Sequence, residues 1–234
     1  MIARRQPPGQ RTKRVPPLEN GDQLTSPEFL RRYSAMPASV KAELIEGVVY
    51  MASPVTAFHG NPHTDIIGWL YTYRIATPGT DTADNATIRL DVRNVPQPDA
   101  VLYTLATHGG PVRISDDGYI EGAPDLAAEI ASTSASKDLG PKMTAYARNG
   151  IAEYIVWRTH DAELDWFVLR NGIYEPLQPD AAGVFRSERY PGHWLDGYAM
   201  LERDAARVHA VLQQGLQSPE HARFVADLEA RRTG

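Results

Sequence analysis

Two acids and one lysine carry the chemistry that this chain could perform. Asp99 stands in "QPDAVLY", directly after Pro98 and at the opening of an apolar run, and Glu129 stands inside a second apolar run, "DLAAEIA". Lys142 follows in "SKDLGPKMTAYARNG". Proline lacks an N–H and fixes its own φ, which suits the first residue of a strand, so Asp99 is expected where that strand begins. The plainer readings are a turn aspartate for Asp99 and a partly exposed or ion-paired residue for Glu129. A carboxylate with apolar residues on both sides nevertheless costs several kcal/mol to bury unless something compensates it. Two such groups entering one cavity repel each other and favour a bound cation. Mg²⁺, or Mn²⁺ in its place, takes oxygen ligands and keeps several waters. Such an ion acidifies its water and neutralises charge on phosphate oxygens. A nearby ammonium assists the same chemistry, and Lys142 lies one helical turn from both Asp138 and Tyr146. A lysine on a helix is otherwise a solvated surface group.

The elements that would position these groups follow from the apolar patterning. Residues 25–36 read as a short helix with Ser26 as N-cap and Pro27 at the first helical position. Residues 42–53 read as a hairpin turning at Glu46-Gly47. Asn61 and Pro62 mark the start of a second helix whose buried stripe is Ile66, Ile67, Leu70 and Tyr73. "ATIRLDV" and "PDAVLYTL" are strands, and the Glu129 strand comes next. A helix over 137–149 ends at Gly150. Strands over 152–158 and 162–170 and in "GIYEPLQ" form a late meander, and two helices broken near 215–219 close the chain. Only one strand-to-strand connection contains a helix of crossover length. This predicts an α/β or α+β domain with a mixed sheet rather than a doubly wound parallel one.

Bulk properties narrow the function classes. The chain has 234 residues, 42% apolar and 23% charged, which suits one sizeable globular core. It has no cysteine, so thiolate metal sites, disulfides and cysteine nucleophiles are excluded. No apolar run is long enough for a membrane helix, and a cytoplasmic protein is expected. The net charge of −5 hides an asymmetry: Arg4, Arg5, Arg11, Lys13 and Arg14 are unopposed in the first fourteen residues, which leaves 19 basic against 29 acidic side chains in the remainder. The body is therefore no basic nucleic-acid platform, while the Pro- and Arg-rich tail over 1–23 is expected to be disordered and able to hold phosphates only loosely. Neither a Gly-x-Ser-x-Gly elbow nor a GxxxxGK[ST] phosphate loop is present.

The series "AELIEGVVYMASP", "HTDIIGWLYTY", "VPQPDAVLY", "GAPDLAAEIASTS" and "KDLGPKMTAYARNGIAEYIVW" resembles the Uma-two family of restriction endonucleases, within the PD-(D/E)xK nuclease superfamily. The similarity spans about residues 24–202, leaving 203–234 as a C-terminal helical extension. It implies a restriction-endonuclease-like core, a mixed β-sheet flanked by helices, and a Mg²⁺-dependent endodeoxyribonuclease acting on DNA. In that resemblance Asp99 and Glu129 are the metal-binding acids, with a main-chain carbonyl near Ile130 assisting. Lys142 is the catalytic lysine carried on the following helix, since Ala131 occupies the place where the parent pattern has lysine. Glu43 matches an acid counted with the active site and His63 a histidine near a helix start; Asp138 and Tyr146 are supporting candidates. His59 is set aside, because Gly60-Asn61-Pro62 is expected to break any helix between it and His63. The turn "STSASKD" departs from the family in lacking a proline. A homodimer would suit cleavage of both strands of a duplex. The alternative is a catalytically silent nuclease-fold module that keeps the acids as structural remnants.

Overall fold

The computed structural model describes residues 15–52, 54–132 and 134–233. Helix α1 (Ser26–Tyr33) takes Thr25, not Ser26, as its N-cap, and the Ser26 hydroxyl donates to the carbonyl of Asp91 at 2.6 Å. The hairpin of β1 (Ala42–Ile45) and β2 (Val48–Met51) turns through Glu46 and Gly47 at φ 52° and 81°. Two successive positive φ values match the twist of paired strands, and a glycine accepts the second without strain.

Helix α2 (Ala57–Ala76) begins four residues earlier than Asn61 and Pro62 suggest. Pro62 sits inside it and removes one helical bond, that to the Phe58 carbonyl, while the Gly60 N–H donates to Thr56 at 2.8 Å and holds the first turn. Strands β3 (Thr80–Asp84), β4 (Ile88–Arg89), β5 (Ala100–Thr104), β6 (Arg113–Ile114), β7 (Ile120–Glu121) and β8 (Leu126–Ala131) follow. Helices α3 (Ala135–Lys137) and α4 (Met143–Asn149) are joined by a turn, Asp138–Lys142, kinked at Gly140, and Gly150 ends α4 in the left-handed region at φ 82°. Strands β9 (Glu153–Arg158), β10 (Glu163–Arg170) and β11 (Ile173–Pro176) form the late meander, and β12 (Val184–Arg186) pairs with β13 (Trp194–Asp196). Helices α5 (Gly197–Leu201), α6 (Ala205–Leu216) and α7 (Pro219–Ala230) complete the chain. Among the described residues no helix is long and apolar enough to cross a membrane.

The central sheet runs β11-β10-β9-β8-β5-β3, and within it only β8 and β9 are parallel. A parallel pair needs a crossover, and residues 135–149 supply it, which makes the fold the mixed α+β class that the element order predicts. Side chains alternate across each strand. Ala100, Leu102, Leu126, Ala128 and Ile130 therefore meet Ile66, Trp69, Leu70 and Tyr73 of α2 on one face. Val101, Tyr103, Ala127 and Ala131 meet Tyr146 of α4 on the other. A smaller cluster, Leu18, Phe29, Ala42, Leu44, Val49 and Val95, seats α1 on the hairpin, and Leu44 and Val95 exchange backbone hydrogen bonds of 3.0 and 2.8 Å.

Two boundaries move. Of the tail expected over 1–23, residues 1–14 lie outside the described residues, whereas 15–23 belong to the domain: Leu18 is 4% exposed in the third cluster, and Gly21 donates to Val49 at 2.8 Å. One apolar anchor and a few strand-edge hydrogen bonds outweigh the polar composition there. The C-terminal stretch is likewise no appendage, because Val208 and Leu212 of α6 pack into the main core. Leu212→Ala should therefore cost about 2–5 kcal/mol and lower the Tm by roughly 5–15 °C in differential scanning calorimetry; an unchanged Tm would put α6 outside the core.

Candidate active site

Strands β5 and β8 pair antiparallel with Ala100 opposite Ala128 and Val101 opposite Ala127. The ladder stops there: Asp99 stands in the bend just before β5, and its charge and that of Glu129 disfavour each other, so positive charge is called for nearby. Asp99 is fixed by its own neighbour strand: Oδ2 accepts from the Ile130 N–H at 2.7 Å.

Lys142 supplies one positive charge. Its side chain is 1% exposed, with Nζ 2.7 Å from Glu129 Oε1 and 2.9 Å from Glu43 Oε2. The Tyr146 hydroxyl donates to the same Glu129 oxygen at 3.0 Å. Glu43, carried in by β1, also takes Lys137 Nζ on Oε1 at 2.5 Å and the Gln97 N–H on Oε2 at 3.2 Å. A kink explains how two lysines five residues apart reach one carboxylate: Gly140, at φ −113°, ψ −108°, leaves helical geometry between them, and Lys137 and Lys142 both end on Glu43. Asp138 is buried in the same turn. Its Oδ2 accepts from the Ser134 hydroxyl, and its Oδ1 has no hydrogen-bond partner among the described residues.

The histidines approach from α2. His63 Nε2 lies 2.7 Å from the Asp99 carbonyl and 3.0 Å from Asp84 Oδ1, so it holds the main chain that presents Asp99. His59, set aside on sequence grounds, is on the same helix and in the site: Nδ1 is 2.9 Å from the Ile130 carbonyl and Nε2 3.3 Å from Asp99 Oδ1. The Ile130 carbonyl thus meets an imidazole, and its second lone pair is still available to a cation.

Charge in this cluster is unevenly shared. Burial pushes Glu129 well above the usual carboxylate range; Lys142 opposes this, while Asp138, Asp99 and Glu43 add to it. Burial also works against ionised Glu43 and Asp99, but Lys142 and Lys137 hold the first low and His59 the second. Burial opposes the charge on Lys142 too, and Glu129, Glu43 and Asp138 outweigh it, so the ammonium keeps its proton far above neutrality. Four carboxyl groups share two lysines. Those carboxyl groups and the Ile130 carbonyl make an oxygen-rich donor set, which suits a hard divalent cation.

All the sequence-predicted residues, Asp99, Glu129, Lys142, Glu43, Ile130, His63, Asp138 and Tyr146, thus lie in one cluster. Sequence reasoning missed His59 and Lys137. His59 was hidden by taking Pro62 as a helix start, and Lys137 by a five-residue spacing that a regular helix does not bring together and the kink at Gly140 does, for which Gly140-Pro141 inside a helical pattern is the available signal. A cavity of about 240 Å³ beside α2 and α6, lined by Thr64, Trp69, Arg203 and Leu212, includes none of these groups.

Comparisons with known proteins bear on fold and family. A solved structure, "Crystal structure of a putative nuclease belonging to DUF820 from Anabaena variabilis ATCC 29413", superposes with a TM-score of 0.54 at 13% identity, covering 74% of this chain and 98% of that one. At that identity the likeness concerns the fold alone. A comparison with curated proteins gave no match. The Uma2 family, described as "Putative restriction endonuclease", matches residues 6–196, well over half of the chain, and the protein belongs to that family.

Proposed function

We propose that this protein is a divalent-metal-dependent endodeoxyribonuclease that uses Mg²⁺, with Mn²⁺ as a substitute, to hydrolyse DNA phosphodiester bonds. The observation that carries the reading is the buried ammonium of Lys142 between Glu129 and Glu43, with a further acid, Asp99, close enough for its charge to act on Glu129. Family membership and the description of the structural neighbour as a nuclease support the same reaction class.

In this reading Asp99 Oδ1, Glu129 Oε2 and the Ile130 carbonyl would hold the ion. When bound, it supplies an acidified water and neutralises charge developing at phosphorus. Lys142 keeps its proton, so it acts as a donor rather than a base, orienting the attacking water or stabilising the pentacovalent phosphorane. Glu43 and Lys137 hold that ammonium in place, and the Tyr146 hydroxyl ties up Oε1 of Glu129 so that Oε2 faces the ion. Phe58, 80% exposed and next to His59 in sequence, offers an aromatic surface on which an unpaired base could stack.

Plasmid nicking in Mg²⁺ tests the assignment. Asp99→Asn should abolish cleavage with a nearly unchanged Tm, since the new side chain can still accept from Ile130. Lys142→Met should abolish cleavage and also destabilise by about 3–5 kcal/mol, because two buried carboxylates lose their counter-ion. Wild-type rates in either variant would refute the role assigned to that residue.

Glu129 gives a pH prediction of definite sign. A carboxyl whose proton affinity is raised on folding binds more proton in the folded state, so stability falls as pH rises above its unfolded pKa of about 4.3. In EDTA at pH 8, Glu129→Gln should therefore raise the Tm by roughly 2–4 °C per kcal/mol regained, and the gain should shrink toward pH 5. A variant less stable at both pH values would contradict the raised affinity.

A further inference from the structure

A metal-binding imidazole commonly donates its other ring N–H to a carbonyl, which fixes both the tautomer and the ring plane. His59 is held in this way, with Nδ1 2.9 Å from the Ile130 carbonyl. Nε2 faces Asp99 Oδ1 at 3.3 Å, a hydrogen bond when Nε2 carries a proton and a pair of acceptors open to a cation when the proton sits on Nδ1 alone. Adjacent ligands at about 2.1 Å in an octahedral shell are about 3.0 Å apart, so the separation of these two atoms fits two neighbouring ligands of one ion. Ligand atoms of His59, His63 and Asp99 all lie within 4.8 Å of one another. His63 is engaged differently: its Nε2 meets the Asp99 carbonyl and Asp84, an environment for a donor N–H.

We propose that His59 Nε2 is a direct ligand of the divalent ion held by Asp99, in place of the Ile130 carbonyl, which Nδ1 holds on the far side of the imidazole ring. This rests on the nuclease reading and makes its metal centre a mixed nitrogen–oxygen site. Imidazole suits first-row transition ions better than Mg²⁺, so the centre prefers Mn²⁺. His63 is a positioning residue for Asp99.

The test uses the metal-free full-length protein titrated with Mn²⁺ or Mg²⁺ by calorimetry, with pulsed electron paramagnetic resonance of the Mn²⁺ complex. The expected result is Mn²⁺ binding that is lost in Asp99→Asn and is tighter than Mg²⁺ binding. The wild-type spin echo should show ¹⁴N modulation, and His59→Gln should lose it together with roughly tenfold or more of the Mn²⁺ affinity. The wild-type modulation does not depend on any variant folding. Asp99-dependent Mn²⁺ binding without ¹⁴N modulation would overturn the His59 assignment and leave the nuclease reading standing. Modulation that survives in His59→Gln and vanishes in His63→Gln would overturn it as well, by giving the nitrogen to the other histidine. Failure of the wild-type protein to bind either ion would overturn both.

Discussion

The ammonium of Lys142, sealed from solvent between Glu129 and Glu43, dictates much of the architecture around it. Burying three charged groups costs several kcal/mol each before their attraction is counted, and such an arrangement rarely stabilises a fold on balance. The two apolar faces of the sheet must carry that cost. One packs against Trp69, Leu70 and Tyr73 of α2, the other against Tyr146 and Tyr154. The charged cluster sits at the margin of these layers, where β5 begins, β8 runs through, and the crossover helix returns.

Three separate pieces of chain must meet for the cluster to exist. The hairpin brings Glu43, the antiparallel pairing of β5 and β8 brings Asp99 and Glu129 together, and the kink at Gly140 lets Lys142 and Lys137 meet one carboxylate. Glu43 and Glu129 come from within strands, whereas Asp99 stands in the bend before β5 and the lysines flank the Gly140 kink. The excess of acids over lysines is unfavourable for the protein alone and useful for holding a cation, a trade of stability for function often found at active sites.

Much of this was legible in the sequence. Apolar runs interrupted by a single acid marked β5 and β8, the one long helical pattern between strands marked the parallel crossover, and Glu46-Gly47 marked the hairpin. What escaped had physical causes. Strand β3, "TDTAD", carries almost no apolar signal and is held by its ladder to β5. Helix α2 tolerates Pro62 at the loss of one hydrogen bond, which concealed His59. The kink at Gly140 breaks the 3.6-residue period on which helical-face arguments rest, so Lys137 could not be grouped with Lys142. The buried Leu18 shows that one apolar residue can anchor a segment whose composition is otherwise that of a tail.

The proposed nuclease function requires that a divalent cation bind between Asp99 and Glu129, beside Lys142. Anomalous scattering from a Mn²⁺-soaked crystal tests it most directly. The predicted result is a peak about 2.1–2.3 Å from a carboxylate oxygen of each acid, with the Lys142 ammonium adjacent and still in contact with Glu129. A peak bound elsewhere, or an ion that contacts neither acid at saturating Mn²⁺, would contradict it.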